Sequence, residues 1–94
     1  MVLVTVRTFG HLTSIIGGHQ AQVDSPGAAV EDLLKELVAR FGTPMRNFLH
    51  PRDEELSDML FVLVNGRNIA HMDGTKTSLK DGDVVSILPI TAGG

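Results

Sequence analysis

One stretch of the chain constrains its fold more than any other. Val30, Leu33, Leu34, Leu37, Val38 and Phe41 recur at intervals of three and four, with Glu31, Asp32, Lys35, Glu36 and Arg40 between them. That spacing predicts a helix with one apolar stripe and a charged remainder. Glu31 and Asp32 fall in its first turn and Arg40 in its last, as the helix dipole favours, while Gly42 and Pro44 supply the stop. The stripe is purely aliphatic and aromatic, with nothing in it to bind a cofactor, so it is core. At 94 residues the chain makes one domain with one modest core, and the rest of it must supply the surface that this helix covers.

That surface is a sheet. From Val2 to Phe9 the residues alternate, with Val2, Val4 and Val6 on one side and Leu3, Thr5, Arg7 and Phe9 on the other, the period of a half-buried strand. A mixed loop follows through Leu12, Ile15 and Ile16 to Gly17-Gly18. His19 to Val23 alternates again, which predicts an opening hairpin ended by Asp24-Ser25-Pro26-Gly27. Beyond the helix, Met45, Phe48 and Leu49 suggest a short second helix or turn before Pro51, and Arg52 to Asp58 reads as an acidic, solvated loop. Met59 to Val64 is apolar throughout and reads as a central strand, one face under the helix and the other open, with Asn65-Gly66 as a turn directly after it. Ile69 to Met72 is expected as a short return strand and Leu79 as a buried anchor. Lys80-Asp81-Gly82-Asp83 forms a tight turn into the last strand, Val84 to Leu88. There Val85 and Ile87 face the core, so Leu88 shares an outer face with Phe9.

Composition excludes several classes of function. The net charge of -3 and the lack of any Lys/Arg run argue against nucleic acid. No apolar run approaches the roughly 20 residues that span a bilayer, and Met1 leads straight into a strand without a basic leader, so no membrane partner and a cytoplasmic location are expected. Cysteine is absent, which removes disulfides, thiolate metal sites and a cysteine nucleophile. His11, His19, His50 and His71 are scattered with no ligand pair at helical spacing, and Asp53, Glu54 and Glu55 lack the alternating oxygens and glycine of a calcium loop. No metal site and no catalytic residue within the chain are expected. Asp81 and Asp83 are explained by turn chemistry, their side chains bonding nearby amides.

What remains is the end of the chain. With glycine at about 7% of residues, two terminal glycines arise by chance in roughly one chain in two hundred. Here they close a run, Leu88-Pro89-Ile90-Thr91-Ala92-Gly93-Gly94, that contains no charged side chain. A slender end of this kind can thread a narrow channel, and glycine leaves its carbonyl open from either face. Residues 90 to 94 are therefore expected to form a flexible tail on a single domain spanning 1 to 94, with Gly94 and Gly93 as the reactive terminus.

Strand, strand, helix, a less regular middle, strand, short return and strand is an α+β order. Four to five strands in a mixed sheet, the first and last adjacent and parallel, with one main helix across them, make the β-grasp (ubiquitin-like) arrangement. Fold alone carries no function. The Val4 to Phe9 run, the Asn65-Gly66 turn, the segment Leu79 to Val85, the Leu88-Pro89 strand end and terminal Gly93-Gly94 together resemble the MoaD/ThiS family of ubiquitin-like sulfur carriers over essentially the whole chain.

The resemblance implies that Gly94 is adenylated by an E1-like adenylating and sulfurtransferase enzyme, which uses ATP, and is then converted to a thiocarboxylate. This chain would bind no cofactor itself. A sulfur-accepting synthase would be the second partner, either cysteine synthase-like or the large subunit of molybdopterin synthase. Pro89 is followed by Ile90 rather than by a second proline, and Asn68 to Ser78 is longer than is usual in molybdopterin synthase small subunits. Both departures favour the carriers of cysteine biosynthesis over molybdopterin. A similar tail occurs on archaeal small modifiers joined to lysines, and a non-covalent ubiquitin-like interaction domain is a further alternative. For partner binding, Phe9, Ile69 and Leu88 are the expected docking surface, with Pro89, Ile90 and Ala92 leading to the terminus.

Overall fold

The computed structural model describes residues 1–51, 56–57 and 59–90. Most of the acidic segment expected as a loop, and the last four residues, lie outside the described residues. Five strands form one sheet: β1 (Val2–Thr8), β2 (Gln20–Ser25), β3 (Leu60–Val64), β4 (Arg67–Asn68) and β5 (Val84–Pro89). Their order is β2-β1-β5-β3-β4, with β1 and β5 parallel and the other neighbouring pairs antiparallel. The first and last strands are thus adjacent and parallel, as their order in the sequence predicts. The middle of the sheet is β5 rather than β3, which lies between β5 and the two-residue β4.

Helix α2 (Val30–Phe41) has the bounds that its apolar spacing predicts. Its start is stitched to the far end of the chain: Val30 N–H donates to Thr77 O at 3.0 Å and Leu79 N–H to Ala28 O at 2.6 Å, while the Asp32 carboxylate accepts the Ala29 N–H at 3.2 Å. At its other end Gly42 N–H donates to Val38 O at 2.8 Å. Val30, Leu33, Leu34 and Leu37 join the inward residues Val4, Val6, Val23, Val62, Val64, Val85 and Ile87 in one buried cluster. Full burial of each such side chain is worth about 1.5–3 kcal/mol.

Two short helices complete the core. α3 (Thr43–Leu49) buries Met45 and Leu49, as their spacing suggests. The segment read as a mixed loop is instead α1 (His11–Ile16), which buries Leu12 completely. Six residues are too few to show a period or to hold a helix alone. It stands because Leu12 is packed, because Gly17 and Gly18 N–H both return to Thr13 O, and because Gly10 takes φ 58° at its entry, a conformation open to glycine. The buried Thr8 hydroxyl ties this helix to β1, donating to Gly18 O at 2.6 Å.

A second departure follows β4. Ile69 to Met72 is not a strand: Ile69–His71 forms a 3₁₀ turn, because the Asn68 side chain accepts the Ala70 N–H at 2.9 Å and turns the chain out of the ladder. Ile69 is consequently core, at 5% exposure.

His50 closes α3, its N–H bonded to Arg46 O at 2.7 Å, and its Nδ1 is buried without a hydrogen-bond partner among the described residues. Burial, and then the neighbouring Arg46 charge, hold its pKa below the usual 6.5. The folded state therefore binds a proton at His50 less readily than the unfolded chain does. The resulting stability is fully present above about pH 6.5 and is lost as the pH falls through that value toward the lowered one. Urea denaturation of wild type and His50→Leu between pH 7.5 and pH 5 should show the wild type losing more stability on acidification. Equal slopes would mean that His50 is not the responsible group.

Candidate functional site

The site is built at the end of β5, and the entry of that strand into the sheet is fixed by two side chains. Asp83 Oδ2 accepts the Lys80 N–H at 2.8 Å and Oδ1 accepts the Asn65 side-chain N–H at 2.9 Å. Asn65 Oδ1 in turn accepts the Val84 N–H at 2.9 Å. Asn65 and Gly66 both have positive φ, 52° and 84°, the requirement of a two-residue hairpin turn of the primed type. Asn65 thus closes the β3–β4 turn and starts β5 at once. On the other side Asp81 Oδ1 accepts the Leu3 N–H at 2.8 Å, and Gly82 N–H donates to Leu3 O at 2.8 Å. The turn chemistry expected of the aspartates is present at Asp83, whereas Asp81 bonds an amide of the distant strand β1 instead.

From that start β5 runs with Val85 and Ile87 inward and Ser86 and Leu88 outward. The ladder to β3 bonds Asn65 N–H to Val84 O and Ile90 N–H to Met59 O, each at 2.8 Å. Bonded positions alternate in an antiparallel ladder, so the Leu60–Pro89 pair falls where no N–H is needed. Proline is accommodated for that reason.

The registers place the outward side chains in rows across the sheet. Gln20, Arg7, Ser86 and Leu63 make one row. The next, toward the end of β5, is Leu88 with Phe61. Continuing the β1–β5 register, in which Thr8 faces Ile87, puts Phe9 in that row as well. The last is Ile90 with Met59. The rows at the C-terminal end of β5 are wholly apolar, and Leu3, 41% exposed, stands on the same face near the start of β1. Phe9 is 39% exposed, Phe61 42% and Met59 58%, while Leu88, Pro89 and Ile90 are half-buried.

Phe9 and Leu88 do share an outer face. Ile69 does not belong to it, being buried on the other side of the ladder's end. Phe61 and Met59 hold the place that the sequence reading assigned to Ile69. The run Met59 to Val64 is apolar on both faces, so it shows that one set of its residues must face outward, and the pairing with β5 makes Phe61 one of them. Ala92, Gly93 and Gly94 lie outside the described residues. Among the described residues no three His, Asp or Glu side chains gather as a metal site.

The face should separate from the core in a stability test. Phe61→Ala should cost under about 1 kcal/mol, as partly exposed sites do, whereas Ile69→Ala should cost about 2–5 kcal/mol. Urea midpoints of the two variants decide this, and equal losses would place Phe61 in the core.

The chain matches the model of the ThiS family over residues 6–94. It is 40% identical over 91 residues to small archaeal modifier protein 3 of Haloferax volcanii, covering 95% of this chain and 96% of that protein. To the sulfur carrier protein CysO of Mycobacterium tuberculosis it is 28% identical over 78 residues, 82% of this chain and 84% of the relative. The solution structure of small archaeal modifier protein 1 from Methanosarcina acetivorans superposes with a TM-score of 0.84 at 31% identity, covering 100% of this chain and 98% of that one. These relatives are small carriers and modifiers rather than enzymes.

Proposed function

The chain belongs to the ThiS family, and on that premise we propose that it is a sulfur carrier whose Gly94 carboxylate is activated and then converted to a thiocarboxylate. The observation that carries this reading is the diglycine end placed four residues beyond Ile90, which is itself bonded to the sheet through Met59. At about 3.3–3.6 Å per residue, residues 91 to 94 reach at most about 14 Å. Any enzyme that acts on Gly94 must therefore sit close to the apolar row of Phe9, Leu88 and Phe61.

The chemistry divides between the two proteins. A carboxylate is a poor electrophile until one oxygen becomes a leaving group. Its attack on the α-phosphorus of ATP releases pyrophosphate and gives an acyl adenylate. A hydrosulfide equivalent held by the partner then adds at the carbonyl and expels AMP, leaving sulfur in place of one oxygen. An E1-like enzyme supplies the ATP site and the catalytic groups. This chain, which has no cysteine, carries sulfur on its backbone terminus.

The acceptor we favour is the activated serine derivative of cysteine biosynthesis, with molybdopterin next. The likeness to CysO and the single proline at Pro89 support that order. A second reading, isopeptide attachment of Gly94 to lysines, is supported by the 40% identity to a protein named as a modifier. No helix among the described residues is long and apolar enough to cross a membrane, and the cytoplasm is the compartment that we propose for either role.

Intact mass spectrometry of the full chain, incubated with ATP, a sulfide source and the adenylating enzyme of its own genome, should show replacement of one oxygen by sulfur at Gly94. A chain lacking Gly93 and Gly94 should show none. Persistent unmodified carboxylate in the complete mixture would reject the carrier reading. Branched Gly-Gly remnants on lysines of digested cell protein would establish the modifier reading.

A further inference from the structure

We infer that the partner which activates Gly94 presents a carboxylate to Arg7, so that Arg7 selects the partner and the apolar row beside it supplies contact area. The inference rests on the sulfur-carrier reading and adds to it a chemical requirement on the partner's surface.

Arg7 is exposed and points outward from β1 between Gln20 and Ser86. It has no hydrogen bond or ion pair among the described residues, and its register neighbours Gln20 and Ser86 are uncharged. Asp81 is engaged by the Leu3 N–H, and Asp83 by Lys80 N–H and Asn65. Glu31 holds Lys76 at 2.9 Å. Arg40 meets Glu36 at 3.7 Å and donates to Gln22 O. Those charges are engaged within the fold; among the described residues Arg7 is not, and unlike Lys35 and Arg67 it stands in the outward row next to that of Leu88 and Phe61.

Its position gives it work outside the fold. Two residues further along β1 is Phe9, and one row further along β5 and β3 are Leu88 and Phe61. Rows two residues apart are separated by about 7 Å. A stable protein interface covers about 800 Å² on each partner, a patch far wider than that separation. A protein that buries the apolar row therefore also covers Arg7. Covering a guanidinium without an anion leaves a desolvated charge unpaired, which strongly disfavours that complex. A carboxylate at that place turns the same group into a bidentate contact that also steers the encounter. The limited reach from Ile90 commits this surface to the protein that acts on Gly94.

Steady-state ATP–pyrophosphate exchange by the adenylating enzyme of the same genome tests this, with the full chain as wild type, Arg7→Lys, Arg7→Glu and Phe61→Asp. Arg7→Glu should raise the carrier concentration at half-maximal exchange about tenfold or more without changing the maximal rate, and should abolish its increase with added salt. Arg7→Lys should recover most of the wild-type value and keep the salt dependence, a result that a merely structural role would not produce. Urea midpoints of both Arg7 variants should match wild type. A wild-type half-saturation and salt dependence in Arg7→Glu, with Phe61→Asp impaired, would overturn the role of Arg7 and leave the sulfur-carrier reading intact. A fall in maximal rate alone would also overturn it. No exchange with the wild-type chain would overturn both.

Discussion

The face at the end of β5 depends on how that strand enters the sheet. Val84 begins the strand because Asn65 Oδ1 takes its N–H, and Asn65 is held by Asp83. Two side chains from two turns thus set one register. That register decides that Val85 and Ile87 go inward, that Ser86 and Leu88 go outward, and that Pro89 falls at an unbonded position. A slip of one residue would bury Leu88 and Ser86 and expose the two core residues. Parallel pairing with β1 carries the same register to Phe9, and antiparallel pairing with β3 carries it to Phe61. The face at the root of the tail is therefore a consequence of the turn at the opposite end of the sheet.

Elements whose cause is local were legible in the sequence. The apolar spacing of α2, the Asn65-Gly66 turn, the aspartate turn before β5 and the alternation along β1 and β5 all carry their signal within a few residues. Elements whose cause is tertiary were not. α1 is six residues long, and its helical state depends on the burial of Leu12 and on the tie from Thr8 to Gly18, neither of which a short window reveals. Ile69 was misplaced because one side-chain bond, Asn68 to the Ala70 N–H, diverts the chain just where a longer hairpin would have continued. Its apolar character was read correctly, and only the direction in which it points was missed. The open apolar face at the end of β5 was legible in kind, from Phe9 and Leu88. Its membership was not, because Phe61 belongs to a strand apolar on both sides, and parity there cannot be assigned until the pairing with β5 is known.

Sheet edges invite association as readily as faces do, and the fold treats the two differently. At the β2 edge, Arg40 reaches across from α2 to donate to Gln22 O at 3.3 Å, and Asp24 adds a charge near the strand's end. At the other edge β4 is only two residues long and is followed by two 3₁₀ turns, so it offers little ladder to a stranger. The outer face carries no comparable protection: three large apolar side chains stand exposed where the chain leaves the sheet. Among the described residues, association is thereby directed to the outer face at the end of β5. On the sulfur-carrier reading proposed above this asymmetry has a use, because a terminus that serves as substrate has to be found by an enzyme while the strands must not be extended by other copies of the chain.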